Sequence, residues 1–141
     1  MVATVADYRV LDSGFRLSLQ GGDGFQRSLG LDLDEGYVAG TNIARPILQF
    51  MVRAFQDNSR LVVVVNGSIE LDNSNRIVPD SNVVLDREFD ASPIRTYYVV
   101  IGGERFFPSA GNKLIFAVNA DGSDDVLVES VVLWHQRRVA T

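Results

Sequence analysis

Two-residue alternation of apolar and polar side chains is the feature of this sequence that most constrains its fold. Successive side chains of a β-strand point to opposite faces of the sheet, so alternation gives each strand one apolar and one polar face. This pattern is typical of half-buried antiparallel sheet rather than of buried parallel sheet. The alternation recurs in four segments, residues 15–20, 29–34, 48–55 and 113–118.

Residues 61–71 form an apolar, β-branched run that is interrupted by Asn66 and Gly67. An Asn-Gly pair accepts the positive φ angles of a type I′ turn, so it predicts a tight β-hairpin at this point. The first arm, 61–65, is apolar at every position. Two sheets stacked face to face explain a strand that is apolar on both sides.

Turn residues separate further strands. Tight hairpins are predicted at 101–104 (Ile-Gly-Gly-Glu) and 121–124 (Asp-Gly-Ser-Asp), because Gly supplies positive φ and Asp braces a turn through its own backbone. Residues 72–93 are rich in Asn, Ser, Asp and Pro, which predicts long loops around one strand at 82–86. Pro46 fits the first turn of a helix, but the alternation around it favours a strand.

The regular spacing of strands and turns indicates the architecture. Short strands with turn signals every 8 to 12 residues or so are typical of sandwiches and barrels. We expect a single all-β domain over residues 1–141, with no repeat or linker. It should be an antiparallel two-sheet β-sandwich, jelly-roll-like, with about 8 to 10 strands and at most one short helix.

The charge balance narrows the range of partners. The sequence has 18 acidic and 13 basic residues, a net charge of −5, and no basic run that would neutralise phosphates. We therefore expect neither nucleic acid nor an anionic membrane surface as a partner. The first 14 residues lack the basic start and apolar stretch of a signal peptide, and no apolar run is long enough to cross a bilayer. We expect a soluble protein and leave its compartment open.

The second half of the chain, residues 46–136, resembles the galactose-binding-like β-sandwich modules that accompany glycosidases and occur in some lectins. The resemblance rests on the strand end at 64–67 (Val-Val-Asn-Gly), on 108–116 (Pro-Ser-Ala-Gly-Asn-Lys-Leu-Ile-Phe) and on the terminal strand 126–134 after an Asp-Gly turn. It implies a jelly-roll fold and carbohydrate binding, sometimes with a structural calcium. Sugar platforms in these modules commonly present exposed Trp or Tyr, whereas this chain has a single Trp.

Groups that could carry catalysis are scarce. The chain has no Cys, and His135 is its only His. A Cys-His dyad and a His-rich metal site are therefore excluded, and a Ser-His-Asp triad would need His135 although nothing like Gly-x-Ser-x-Gly occurs. We predict that the protein is not an enzyme, with a carboxylate-based hydrolase as the minor alternative. The His135 side chain is expected to face solvent.

The single Trp and the pair Tyr97-Tyr98 are the side chains most suited to stacking on a ligand. In 126–136 the even positions are the more apolar, so alternation sends Trp134 into the core unless a bulge near Ser130 reverses its facing. Adjacent tyrosines point to opposite sides, and the outward one can stack on a ligand. The candidate ligand-binding residues are Tyr98, Asp121, Asp124, Trp134, His135 and Arg137.

Acidic turns are candidates for calcium, which prefers six to eight oxygen ligands. Asp-Gly turns also occur for turn geometry alone, so we favour a purely structural loop and keep calcium as the alternative. Calcium is the only cofactor that the sequence suggests. The candidate ligands are Asp121, Asp124 and Asp125, with a second acidic cluster at Asp32, Asp34 and Glu35.

Two functions from different classes fit these observations. The first is a non-enzymatic binding module, with carbohydrate as its ligand by resemblance and a site formed by Tyr98, the 121–125 loop and neighbouring arginines. The second is a structural or assembly protein, such as a subunit of a homo-oligomer or of a phage-like or secreted particle. Outward residues such as Met51, Phe55 and Ile115 would form its interface.

Overall fold

The computed structural model describes residues 2–21, 23–33, 45–107 and 111–140. The strands in chain order are β1 Val2–Ser18, β2 Gln26–Leu31, β3 Ile47–Ala54, β4 Ser59–Val65, β5 Glu70–Leu71, β6 Ile77–Val78, β7 Val83–Phe89, β8 Arg95–Val100, β9 Asn112–Ala117 and β10 Asp125–Ala140. Within these residues the one helix is a short 3-10 turn, Gly103–Arg105. The predicted all-β fold with at most one short helix is confirmed.

The strands form two four-stranded sheets and a small ribbon. The first sheet has the order β1-β10-β3-β8, the second has the order β2-β9-β4-β7, and β5 pairs with β6. All of these strand pairs are antiparallel. Most connections carry the chain from one sheet to the other, as between β1 and β2 or between β9 and β10. The predicted antiparallel two-sheet, jelly-roll-like sandwich is confirmed.

The main core lies between the inner faces of the two sheets. Phe116 on β9 lies at its centre, with ring centroids 5.4 Å from those of Phe15 on β1 and Phe50 on β3, both in edge-to-face geometry. Strand β3 buries every second residue, as its alternation predicted. Each large ring removed from water in this way contributes roughly 2–3 kcal/mol of hydrophobic stabilisation.

The outer face of the second sheet is also covered. A second apolar cluster joins Val62 and Val64 of β4 and Ile115 of β9 to Ile77 of the β5–β6 ribbon. Strand β4 is therefore buried on both faces, which confirms the interpretation of the 61–65 run as a strand packed on both sides. Ile115 was expected to face outward as part of an interface, and this is wrong, because the ribbon folds over it.

The hairpin predicted at Asn66-Gly67 is not formed, because β4 pairs with β7 and β9 rather than with the residues that follow it. Asn66 has a φ of 52°, but it turns the chain toward β9, where its backbone N–H donates to the Lys113 carbonyl and its side-chain oxygen accepts the Lys113 N–H. Gly67 serves close packing instead, since a Cβ there would lie 2.7 Å from Val64 Cγ1 and Asn82 Cβ.

The other two predicted hairpins are also wrong. At 101–104 the chain enters the 3-10 helix, and residues 105–107, the last described before a gap, form no strand. At 121–124 the turn is formed, but it joins β9 of the second sheet to β10 of the first. The turn at 121–124 was therefore predicted correctly, but the prediction that β10 pairs with β9 in one hairpin was wrong. The strand expected at 82–86 corresponds to β7, and that around Pro46 to β3.

Candidate functional site

Trp134 faces outward from the first sheet. Its side chain was predicted to enter the core, and this is wrong, since 41% of the residue is exposed. The reason lies at Ser130, which has a φ of 52° and interrupts the register between the pairs Glu129↔Met51 and Val132↔Gln49. This is the bulge near Ser130 that was considered from the sequence alone. It moves the side chains of the residues that follow to the opposite face of the sheet.

Two rows of cross-strand neighbours surround Trp134 on this outer face. Their Cα registers run across all four strands, as Tyr8↔Trp134↔Ile47↔Val100 and Val10↔Val132↔Gln49↔Tyr98. We call these eight residues the aromatic face. Three of the chain's aromatic side chains lie on it, and most of the remaining members are aliphatic.

The aromatic side chains of this face are exposed but ordered by contacts. The rings of Tyr8 and Trp134 lie 5.1 Å apart with a 42° tilt, and Tyr8 is 56% exposed. The indole Nε1–H of Trp134 donates a 3.0 Å hydrogen bond to Oε1 of Gln49 on the next strand. Tyr98 is 60% exposed on β8, whereas its neighbour Tyr97 turns inward against Phe50.

His135 was expected to face solvent, and this is wrong. The bulge that turns Trp134 outward turns the next residue inward, and His135 is buried beside β1, where Asp7 is its cross-strand partner. The side chain of Arg137 lies outside the described residues. Of the predicted ligand-binding residues, the aromatic face therefore brings together Tyr98 and Trp134.

The acidic loop before β10 is committed to structural contacts. Both carboxylate oxygens of buried Asp124 accept backbone hydrogen bonds, from Arg60 N–H at 3.0 Å and Asn119 N–H at 2.9 Å. Asp125 forms a bidentate ion pair with Arg16, at 2.7 and 2.8 Å, and this hydrogen bonding raises the pKa of the Arg16 guanidinium. These partners close the loop against the end of the sandwich.

Asp121 has yet another set of partners. Hydrogen bonds from Ser123, and an ion pair with Arg76 at 2.9 Å, hold the pKa of the Asp121 carboxyl below its usual value. Among the described residues no group of three or more acidic or histidine side chains is arranged to hold a metal ion. The structural interpretation of the loop fits this arrangement, and the calcium site considered as its alternative at Asp121, Asp124 and Asp125 is not assembled in it, because the three carboxylates accept from different donors. Asp34 and Glu35 of the second acidic cluster lie outside the described residues.

The acidic loop and the aromatic face lie far apart. Trp134 is nine positions after Asp125 along β10, which is about 30 Å of extended strand. The predicted site that combined Tyr98 with the 121–125 loop is therefore split between two ends of the molecule.

Tyr8 and Gln49 are the members of the aromatic face that the sequence did not reveal. Tyr8 alternates with Asp7 and Arg9, and charged neighbours of this kind normally indicate that the aromatic residue faces the core. In the structure Asp7 and Arg9 are half-buried and Tyr8 is exposed. Gln49 is an ordinary polar position in the alternation of β3, and only its register with Trp134 indicates a role for it.

Comparison with known proteins supports the fold alone. No protein-family model matches the sequence, and no curated protein matches it. A solved mutant of a family 29 carbohydrate-binding module matches with a TM-score of 0.50 and 13% identity, over 94% of this chain and 93% of that one. Another family 29 module, from Piromyces equi, matches with a TM-score of 0.45 and 10% identity, over 92% of this chain and 91% of that one.

A family two carbohydrate esterase from Cellvibrio japonicus matches over 97% of this chain with a TM-score of 0.39 and 14% identity, but this chain spans only 34% of the esterase's length. The molecule is thus a jelly-roll β-sandwich of the kind found in carbohydrate-binding modules, and the predicted resemblance is confirmed for the fold. Among the described residues no helix is long and apolar enough to cross a membrane.

Proposed function

We propose that this protein is a non-catalytic carbohydrate-binding module whose ligand lies on the aromatic face. The observation that carries the proposal is the exposed pair Tyr8 and Trp134, in ring contact on the outside of a regular sheet. Aromatic rings offer an apolar surface to the C–H groups of a sugar ring, while the Tyr hydroxyl and the indole N–H provide polar contacts at their rims. A family 29 carbohydrate-binding module has this fold.

Trp134, at the centre of the aromatic face, is held in place before a ligand binds. Trp134 sits on the central strand β10, packs against Tyr8 on one side and is hydrogen-bonded to Gln49 on the other. A side chain that is already fixed loses little conformational freedom on binding, where ordering a mobile one costs about 0.5–1.5 kcal/mol. A preorganised ring of this kind is suited to stacking against the C–H groups of a sugar ring.

Polar groups adjoin the rings and can meet sugar hydroxyls. Gln49 lies within the aromatic face, and the next row of the sheet carries Glu129 and Thr96 on either side of Met51. Glu129 is the one carboxylate in these three rows of described residues. Glycoside hydrolysis ordinarily requires two carboxyl groups about 5 to 9.5 Å apart. The face is therefore suited to binding a glycan and not to cleaving it.

The experiment is a glycan array followed by calorimetric titration of the saccharides that bind. We expect Trp134→Ala and Tyr8→Ala to weaken binding by at least about tenfold, as loss of a stacking ring of roughly 1.4 kcal/mol implies. Phe107→Ala is the matched control, because Phe107 is 53% exposed but lies on the connection between β8 and β9. Absence of saccharide binding by the unmodified protein, or equal binding by all three variants, would overturn the proposal.

The aliphatic members of the aromatic face favour a second candidate, self-assembly through this surface. Val10 is 65% exposed and Val100 is 58% exposed, and both flank the rings. Contiguous exposed apolar residues mark protein interfaces as well as ligand platforms. Light scattering during size-exclusion chromatography separates the two functions. A dimer that dissociates in Val100→Glu supports a subunit of a homo-oligomer or particle, whereas a monomer at all concentrations excludes it.

A further inference from the structure

We infer that Gln49 is the residue that determines which glycans the aromatic face accepts, and that the ligand is a neutral chain of at least two sugars. This inference rests on the proposed function and concerns the same site. It follows from the one hydrogen bond that Gln49 makes among the described residues and from the position of Gln49 between two exposed rings.

The orientation of the Gln49 amide is fixed by chemistry. An indole Nε1–H can only donate a hydrogen bond, so the amide oxygen of Gln49 must face Trp134. The NH2 group of Gln49 then points away from the indole with two donors. No other hydrogen bond joins this side chain to the described residues, and Gln49 is only half-buried. Gln49 therefore presents donors, and not an acceptor, to whatever lies on the face.

The position of Gln49 indicates how a ligand would lie. Gln49 is the direct cross-strand partner of Tyr98, and it is one row away from Trp134 on the neighbouring strand. The two rings are two strands apart, which is about 10 Å across the sheet. A single pyranose ring cannot cover both, so contact with both requires a chain that crosses the strands over Gln49. The amide would then meet an oxygen acceptor of the sugar between the two rings.

The charges around the face exclude acidic sugars. The two rows of the aromatic face contain no charged side chain; Glu129 lies in the row on one side of them, and the exposed Arg45 lies next to Val100 at the opposite edge. The chain as a whole has a net charge of −5. A uronate or sulfated sugar that lies over Gln49 would find no cation within the two rows and a carboxylate in the row beside them. The face is suited to neutral glycans whose hydroxyl or acetamido oxygens accept from an amide.

The test uses Gln49→Glu and Gln49→Leu in the full chain, titrated with neutral oligosaccharides and with uronic acid oligosaccharides of matched length. Gln49→Glu retains an oxygen acceptor for the indole but removes both donors. We expect it to lose at least about tenfold in affinity for the neutral chain, while the emission maximum and quencher accessibility of Trp134 stay unchanged. Gln49→Leu should lose affinity and also release the indole, which raises quencher accessibility.

The outcomes separate this inference from the proposed function. If the unmodified protein binds glycans and Trp134→Ala abolishes binding, but Gln49→Glu retains full affinity, the role of Gln49 is refuted and the platform stands. Equal affinity for neutral and acidic chains, or for monosaccharides, refutes the ligand class. If no glycan binds the unmodified protein, the proposed function is refuted together with this inference.

Discussion

Ser130 decides which face of the first sheet Trp134 occupies, although three residues of β10 lie between them. Its φ of 52° places one extra residue between the pairs Glu129↔Met51 and Val132↔Gln49. The valines before the bulge, Val126 and Val128, are buried at even positions, whereas after it Val131 and Leu133 are buried at odd positions. A single backbone angle thus creates the exposed aromatic face.

Replacing Ser130 by Gly should stabilise the protein. Left-handed backbone costs an L-residue roughly 1 kcal/mol that Gly does not lose, so we expect the free energy of unfolding to rise or stay level, by up to about 1 kcal/mol. Urea denaturation measures the change. Ser28→Gly is the control, because Ser28 is an exposed residue within β2 without positive φ, and Gly there should cost about 0.5–1 kcal/mol. Equal destabilisation by both variants would show that the bulge geometry is not under this strain.

How much of this could be predicted from the sequence depends on whether a feature is local. Alternation predicted the strand that buries one regular face, β3, because its periodicity continues without interruption. It placed Trp134 and His135 on the wrong faces because one residue shifted the phase of β10. The other non-glycine residues with positive φ in the described part of the chain are all Asn, a residue that is known to adopt this conformation. Ser rarely does so, and its presence in β10 therefore gave no sign of a bulge.

The candidate site shows the same limit. Tyr98 and Trp134 could be named as stacking residues because Trp134 is the single Trp and Tyr98 belongs to an adjacent tyrosine pair that must place one side chain outward. Their grouping with Tyr8 and Gln49 depends on pairing between strands that are about 40 to 130 residues apart in sequence, and no local pattern encodes that register. The acidic loop depends on distant residues in the same way, since Arg16, Arg60 and Arg76, which donate hydrogen bonds to its carboxylates alongside local donors, come from other parts of the chain.

Acid should weaken the protein through Asp86. Two hydrogen bonds from the Arg60 guanidinium, at 2.8 Å each, lower the pKa of the Asp86 carboxyl, and partial burial opposes that shift. A carboxyl whose folded pKa is depressed contributes stability that is fully present above its unfolded pKa of about 4 and is lost as the pH falls through the folded pKa. We therefore expect Asp86→Asn to cost about 1 kcal/mol at pH 7, because the pair remains in contact with solvent.

The measurement is the free energy of unfolding in urea between pH 2 and pH 7 for both proteins. The difference between them should be constant above pH of about 5 and shrink below pH of about 4. Comparing the two proteins at each pH cancels the titration of the other carboxyl groups. A difference that stays constant down to pH 2 would contradict the assigned role of the Arg60–Asp86 pair.

Two acidic residues of one loop should respond very differently to truncation. Asp124→Ala leaves two buried backbone N–H groups, of Arg60 and Asn119, without their acceptor, at about 1–3 kcal/mol each. Asp121→Ala removes an exposed ion pair and a local turn contact, which should cost about 1 kcal/mol or less. Thermal and urea denaturation give both values. Equal costs, or a rise in melting temperature with added calcium in the unmodified protein that Asp124→Ala abolishes, would restore the metal interpretation of this loop.

Gly67 should be intolerant of even one added carbon atom. A Cβ at this position would lie 2.7 Å from both Val64 Cγ1 and Asn82 Cβ, where side chains of β4 and of the turn before β7 already meet. Neither neighbour can move without opening the packed end of β4, so Gly67→Ala should cost about 1–3 kcal/mol through overpacking.

Gly30→Ala is the matched control, because nothing lies within 4 Å of a Cβ there and Gly30 sits within strand β2. Ala in that strand should raise the free energy of unfolding by about 0.5–1 kcal/mol. Differential scanning calorimetry should therefore show a lower melting temperature for Gly67→Ala and a higher one for Gly30→Ala. A shift of the same sign in both variants would mean that the close approach at Gly67 does not constrain the fold.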